Sequence, residues 1–221
     1  METDDSLKGL IVYGSSVSPF VRKALAFAAE KGLEIKVKGV TLNSADPEFR
    51  EASPFAKMPA LRHGDYLLAD SSAIVAYMDA VKHDPVLIPA DARERGKTIW
   101  WDEFADTILV AAAVKVFFNR VVAPRFLGQE GDLAVADRAV EKDLPPLFAY
   151  LEQCLPASGW LVGDRLTLAD ISVVSPFANL RYAGCEVDAA SYPKLSAFIA
   201  KMFARPSFAR SLAHEAKILT G

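Results

Sequence analysis

The stretch LIVYGSSVSPFVRKALAFAAEKGLEIKVK, residues 10–38, decides the fold. Leu10 to Tyr13 is an unbroken apolar run, the pattern of a strand covered on both faces. From Ser18 to Lys31, Ala, Leu and Phe recur at helical spacing, and Gly32 follows where a helix would close. Ile35 and Val37 then alternate with Glu34, Lys36 and Lys38, which predicts a half-buried strand. Strand, helix and strand in one short span make a β-α-β unit, whose crossover is right-handed.

The pattern continues outward. Ala60–Arg62 and Tyr66–Leu68 flank His63-Gly64-Asp65 and read as a hairpin. A helix starting near Asp70 would carry Ile74, Val75, Tyr77 and Met78. Pro85 and Pro89 then interrupt, and 83–92 reads as a linker. No strand signal follows. Residues 93–122, 132–155, 167–182 and 192–204 read as helices, with Pro145-Pro146 predicting a kink or a restart in the second. The expected architecture is a small α/β domain over 1–82 and an all-helical domain over 93–221.

Composition narrows the function. The chain has 221 residues and is 52% hydrophobic, which supports a sizeable core and excludes disorder. A net charge of -3 without a long basic run gives nucleic acid or a membrane surface little to attract. The start, METDDSLKG, is acidic and polar, so no leader is expected. The longest apolar stretch, Leu109 to Phe118, contains Lys115 and reads as too short to cross a bilayer. Cys154 and Cys185 form no C-x-x-C pair, so neither a disulfide framework nor a cysteine zinc site is indicated. A cytoplasmic location and no bound metal are expected.

Three short segments carry candidate chemistry. Ser18 precedes Pro19, which suits the first helical position, so Ser18 is placed as an N-cap. Val21 stands where Glu or Gln would complete a capping box. A hydroxyl can accept from helix amides and still donate outward, toward an anion at the positive helix end. Ser18-Pro19-Phe20-Val21 holds no thiol, so a thiol reacting there must belong to a ligand. In Lys57-Met58-Pro59, local rules give a trans proline opening an edge strand. A cis bond would instead turn the Met58 N–H and C=O outward, toward a peptide-like ligand. Asp70-Ser71-Ser72 suits ordinary capping, or capture of a carboxylate by free amides and the Ser71 hydroxyl.

In this order and spacing, the three segments make the chain resemble the cytosolic glutathione S-transferases of the serine type, tau-like or bacterial. LVGDRLTLAD (161–170), Tyr192-Pro193-Lys194-Leu195 and Arg205-Pro206-Ser207-Phe208 are similar to the family's helical half. The resemblance implies a thioredoxin-like domain with a mixed four-stranded sheet, followed by helices. It implies glutathione as co-substrate, a cytoplasmic homodimer and a detoxifying transferase. By the resemblance Ser18 bonds the glutathione sulfur, with Ser15 as second choice. Met58, before a cis Pro59, pairs with the cysteinyl unit. Asp70 and Ser71 hold the γ-glutamyl carboxylate. Lys57 meets the glycyl carboxylate or is a solvated lysine. Phe20 walls the thiol site or packs in the core. Thr167 and Asp170 are assigned to folding.

A hydrophobic electrophile is expected between the domains, among Trp100, Trp101, Phe104, Phe117 and Phe118, most of which must be core. Asp106 reads as an exposed acid or, in some classes, as one facing glutathione in a partner subunit. A serine hydrolase is disfavoured, because Gly14-Ser15-Ser16-Val17-Ser18 lacks the second glycine of a nucleophile elbow. A ligand carrier without turnover, and a glutathione-dependent lyase, dehalogenase or isomerase, keep the same binding residues.

Overall fold

The computed structural model describes residues 9–220. The acidic start, on which the expectation of no leader rests, lies outside them. The chain divides into two compact units. One takes the residues up to Ile88 and again those from Pro206 onward; the other is Pro89–Arg205. The division falls inside the expected linker. The expected helical domain over 93–221 is corrected at its end, because the last helix packs in the first unit.

The first unit contains β1 (Leu10–Tyr13), α1 (Pro19–Lys31), β2 (Ile35–Lys38), α2 (Pro47–Ala52), β3 (Ala60–His63), β4 (Tyr66–Ala69) and α3 (Ser71–Val81). The sheet order is β2-β1-β3-β4, with β1 parallel to β2, antiparallel to β3, and β3 antiparallel to β4. The interior β1 buries Leu10, Val12 and Tyr13, as its apolar run requires. β2 lies at the sheet edge, and Val37 there stays 47% exposed rather than half-buried. Gly32 closes α1 at φ 65, returning its N–H to the last helical carbonyls.

Two helices escape the sequence pattern. α2 is a six-residue turn, too short for a period, started by the Asp46 carboxylate accepting from the Phe49 N–H at 3.0 Å. The terminal helix, Pro206–Thr220, packs against α1. There Arg22 donates to Glu215 through Nε at 2.9 Å and Nη2 at 2.7 Å, and neither side chain is exposed.

The second unit contains α4 (Ala92–Phe126), α5 over residues 133–154, α6 (Leu168–Tyr182) and α7 (Pro193–Phe203), which makes the terminal helix α8. π-helical segments widen α4 at Phe104–Leu109 and Phe118–Val122, and α5 at Ala139–Asp143. Pro145 and Pro146 sit where the α-helix resumes, so the chain restarts there and their missing N–H groups cost little. By length and composition alone α4 is sufficient to cross a bilayer, which the shorter apolar stretch had not suggested. In the fold α4 packs on α6, with Ala105, Leu109, Ala112 and Val116 buried.

α6 is buried from Leu168 to Leu180 and needs a firm start. The Asp170 carboxylate supplies it, accepting from Leu161 N–H at 2.9 Å, Thr167 N–H at 2.8 Å and the Thr167 hydroxyl at 3.1 Å. Burial pushes the Asp170 carboxyl up to about 6, against the lowering by those hydrogen bonds. The folded chain therefore holds this proton over a pH range in which the unfolded chain, with a carboxyl near ~3.9, has released it. Stability from this group falls as pH rises from roughly 4 to 6, by about 3 kcal/mol. Urea midpoints of the protein and of Asp170→Asn, compared across that range, are expected to converge or cross as pH rises. A constant difference contradicts the linkage.

Candidate functional site

The strand register brings the three segments to one end of the sheet. Tyr13 pairs with Ala60, and Ala60 pairs with Ala69. Tyr13 leads into the Gly14–Ser18 loop, Met58-Pro59 leads into Ala60, and Ala69 leads into Asp70-Ser71. Adjacent strands lie ~4.8 Å apart, so all three segments leave the sheet within about 10 Å of one another. This is the topological edge at which a loop, a strand start and a helix start can grip one extended ligand.

The first segment is shaped by a glycine. Gly14 adopts φ 154, and a Cβ there would lie 2.5 Å from Val21 Cγ2 in the first turn of α1. The close approach turns the chain sharply, and the Ser18 N–H donates to the Ser15 carbonyl at 2.9 Å. Ser18 is the N-cap residue of α1 at φ -72, ψ 129, and Pro19 follows. Its side chain makes no capping hydrogen bond and takes no partner among the described residues. The hydroxyl is half-buried at the positive end of a thirteen-residue helix, free to donate to an anion. Ser15 is also half-buried, whereas Ser16 turns inward, its hydroxyl buried without a partner among the described residues. Phe20 is half-buried at the second position of α1.

The second segment contains a cis Met58-Pro59 bond, where local rules alone favoured trans. The Met58 side chain packs against the cluster of Tyr13, Val40, Phe49, Ala52 and Ala60, while Lys57 is exposed. The loop has a fastening that the sequence reading missed. The buried Ser53 hydroxyl donates to the Lys57 carbonyl at 2.7 Å and accepts from the Lys57 N–H at 2.9 Å. A serine four residues before the lysine was the available signal, but serines in turns are too common to single out.

The third segment is strained. Asp70 sits at φ 79, ψ 132, a conformation that costs a non-glycine residue of order 1–3 kcal/mol and clusters at functional sites. Its Oδ1 accepts from the Ser72 N–H at 2.9 Å and the Ala73 N–H at 3.2 Å. Ser71 is buried at the helix start. A second connection reaches this turn from α1, because the buried Lys23 ammonium donates to the Ser72 hydroxyl at 3.2 Å. Arg22 and Lys23 are charges within an otherwise apolar run, Phe20 to Ala29, and that break in pattern was the signal for both.

In the helical unit, Trp101, Phe104 and Phe117 are buried, while Trp100 and Phe118 keep exposed surface. The rings of Trp100, Trp101, Phe104 and Tyr150 form one cluster, with centroids 4.7 to 6.1 Å apart. Asp106 is half-buried rather than exposed.

Known proteins share this architecture. The family model described as glutathione S-transferase, N-terminal domain, matches residues 12–85, and the corresponding C-terminal domain matches residues 118–215. Glutathione S-transferase 4 of Zea mays is 34% identical over 89% of this chain and 88% of its own length. Elongation factor 1-gamma of Schizosaccharomyces pombe is 30% identical over 72% of this chain but only 38% of its own length. A glutathione S-transferase I structure bound with lactoylglutathione superposes with a TM-score of 0.82 at 26% identity, covering 92% of this chain and 98% of that one.

Proposed function

The chain belongs to the glutathione S-transferase family, and from that membership we propose that it binds glutathione on the first unit and ionises its thiol with the Ser18 hydroxyl. The thiolate then attacks an electrophilic carbon of a hydrophobic second substrate. The observation that supports this reading is the unused hydroxyl of Ser18 at the start of α1, at the sheet end where Met58-Pro59 and Asp70-Ser71 also emerge.

The energetics suffice without a protein base. A free cysteine-type thiol titrates near ~8.5. Lowering that by about two units takes roughly 2.7 kcal/mol of selective stabilisation of the anion. One hydrogen bond to a charged group supplies about 1.5–3 kcal/mol, and the helix end adds roughly 0.3–1 kcal/mol. Ser18 acts as a hydrogen-bond donor and is not itself alkylated. The Met58 backbone pairs with the cysteinyl unit as an added strand would, and no hydrogen bond within the described residues occupies it. Asp70 and Ser71 hold the γ-glutamyl carboxylate, Lys57 reaches the glycyl carboxylate, and Phe20 walls the sulfur. The apolar side chains of α4 receive the electrophile. The working form in this reading is a cytoplasmic homodimer that detoxifies reactive compounds.

The test is an ultraviolet titration of the thiolate in the complex, followed by a panel of aryl halides, epoxides, peroxides and ethers. The bound thiol is expected to titrate about two units below free glutathione. Binding without any lowering identifies a carrier and removes the catalytic reading.

A further inference from the structure

α2 is six residues long, and isolated helices shorter than about 12–15 residues barely hold in water, so its place has to be imposed from outside. The sheet imposes it. The pairing of Tyr13 with Lys38 and of Ile11 with Arg62 puts Tyr13, Lys38 and Arg62 on one face, one polar group from each of three neighbouring strands. Each reaches an acid of α2 or of its N-cap. Lys38 Nζ lies 2.9 Å from a carboxylate oxygen of Asp46 and of Glu48, and Arg62 Nη2 pairs with Glu51. The Tyr13 hydroxyl donates to Glu48 Oε2 at 3.2 Å. The same hydroxyl accepts from Arg62 Nε at 3.1 Å, which leaves its one proton for the carboxylate and joins the ion pairs into a single network. Lys38 first, and Tyr13 after it, hold the Glu48 carboxyl below its ordinary range, so it stays charged at neutral pH. Glu48 and Glu51 are largely exposed, and exposed pairs alone hold little; the fully buried Tyr13 is the fixed point of the network.

We propose that Tyr13, acting through Glu48, is a positioning residue for the Met58 backbone that meets the cysteinyl unit of the ligand. The proposal rests on the glutathione reading above and adds to it the device that seats the second segment. The path is continuous. The Tyr13 ring packs with Phe49 and Ala52 of α2, and Met58 packs on the same cluster. α2 ends at Ala52, and Ser53, next in the chain, donates to the Lys57 carbonyl and accepts from the Lys57 N–H. Lys57 is joined directly to Met58, so a shift of α2 reaches the Met58 backbone with little slack. Tyr13 itself touches no ligand, because its side chain is buried and its hydroxyl is spent on Glu48 and Arg62. Ser18 and Asp70-Ser71 stand at the starts of α1 and α3, so the sulfur and the γ-glutamyl end are served by elements outside this network.

The experiment uses the full chain with glutathione. Calorimetric affinity, the thiol pKa of the bound ligand and amide hydrogen exchange are measured for the wild type, Tyr13→Phe, Glu48→Ala and the double variant, each checked for a native urea transition. Tyr13→Phe keeps the ring and its packing and removes only the hydroxyl. It is expected to lose roughly five- to twentyfold in glutathione affinity, because part of the binding free energy is then used to seat the segment. The bound thiol is expected to titrate as in wild type. In the free variant the amides of residues 46–58 are expected to exchange faster, saturating glutathione to restore their protection, and α1 and α3 to exchange as in wild type, a pattern that general loosening of the unit would not give. The double variant is expected to bind no worse than Glu48→Ala, since the hydroxyl acts through that carboxylate. A folded Tyr13→Phe with normal affinity, one that raises the thiol pKa, or a double variant whose losses add, overturns the proposal. If Tyr13→Phe does not fold, Glu48→Ala decides, its side chain being largely exposed: it must weaken binding and speed exchange over 46–58 without moving the thiol pKa, and normal affinity overturns the proposal. A wild type that binds no glutathione fails at the underlying reading; that is seen before any variant is made, and the proposal falls with it.

Discussion

Replacing Ser18 with alanine is expected to lower turnover about 10- to 100-fold and to raise the pKa of the bound thiol by roughly one to two units, with the fold intact. The sizes follow from removing one hydrogen bond to an anion, about 1.5–3 kcal/mol, from a group whose ionisation sets the rate. Stability should hardly change, because the Ser18 hydroxyl makes no capping hydrogen bond for α1 to lose. The sign is readable in the pH profile. A higher thiol pKa moves the acid limb of kcat/KM upward, so the variant recovers activity at alkaline pH and loses most at neutral pH. Ser15→Ala serves as the comparison and is expected to keep the wild-type profile. If the two variants exchange roles, the donor is Ser15; if neither shifts the thiol, the α1 amides are the stabilising groups.

Glu215→Ala should have the largest effect on stability. The Arg22–Glu215 pair is bidentate and lies wholly inside the first unit. Taking away one member leaves a buried guanidinium without its carboxylate, which typically costs 3–5 kcal/mol, roughly a third or more of a domain's stability. The urea midpoint is expected to fall accordingly. Arg22→Met with Glu215→Leu should recover most of the loss, since apolar pairs of similar volume often replace buried ion pairs without penalty. A single Glu215→Ala variant as stable as wild type would mean that Arg22 finds other compensation.

Much of this could be seen in the chain itself, and the failures have physical causes. β1 and α1 were legible because an unbroken apolar run and a 3.6-residue period are strong local signals. The restart at Pro145-Pro146 followed from missing N–H groups. α2 was invisible because six residues hold no period, and α8 was passed over because only its start, Arg205-Pro206-Ser207-Phe208, had been read. Val37 alternated correctly yet stayed exposed, because alternation does not tell an edge strand from a covered one. At the site, Ser18, Met58-Pro59 and Asp70-Ser71 could be placed in order along the chain. Their convergence depends on the pairing of Tyr13, Ala60 and Ala69, which is long-range information. The cis bond at Pro59 ran against local preference, and the roles of Ser53, Lys23 and Arg22 depend on partners distant in space or hidden in turns. Nor does the architecture alone fix chemistry: an elongation factor shares this sequence pattern over much of the chain, so activity has to be argued from the hydroxyl and the sulfur.

The return of α8 to α1 has a bearing on biosynthesis. A ribosome emits α1 long before the carboxylate that pairs with Arg22, which follows 193 residues later. The nascent α1 must therefore wait, incompletely covered, while every helix of the other unit is translated. Agents that hold exposed apolar surface have their longest opportunity to engage α1 during that interval.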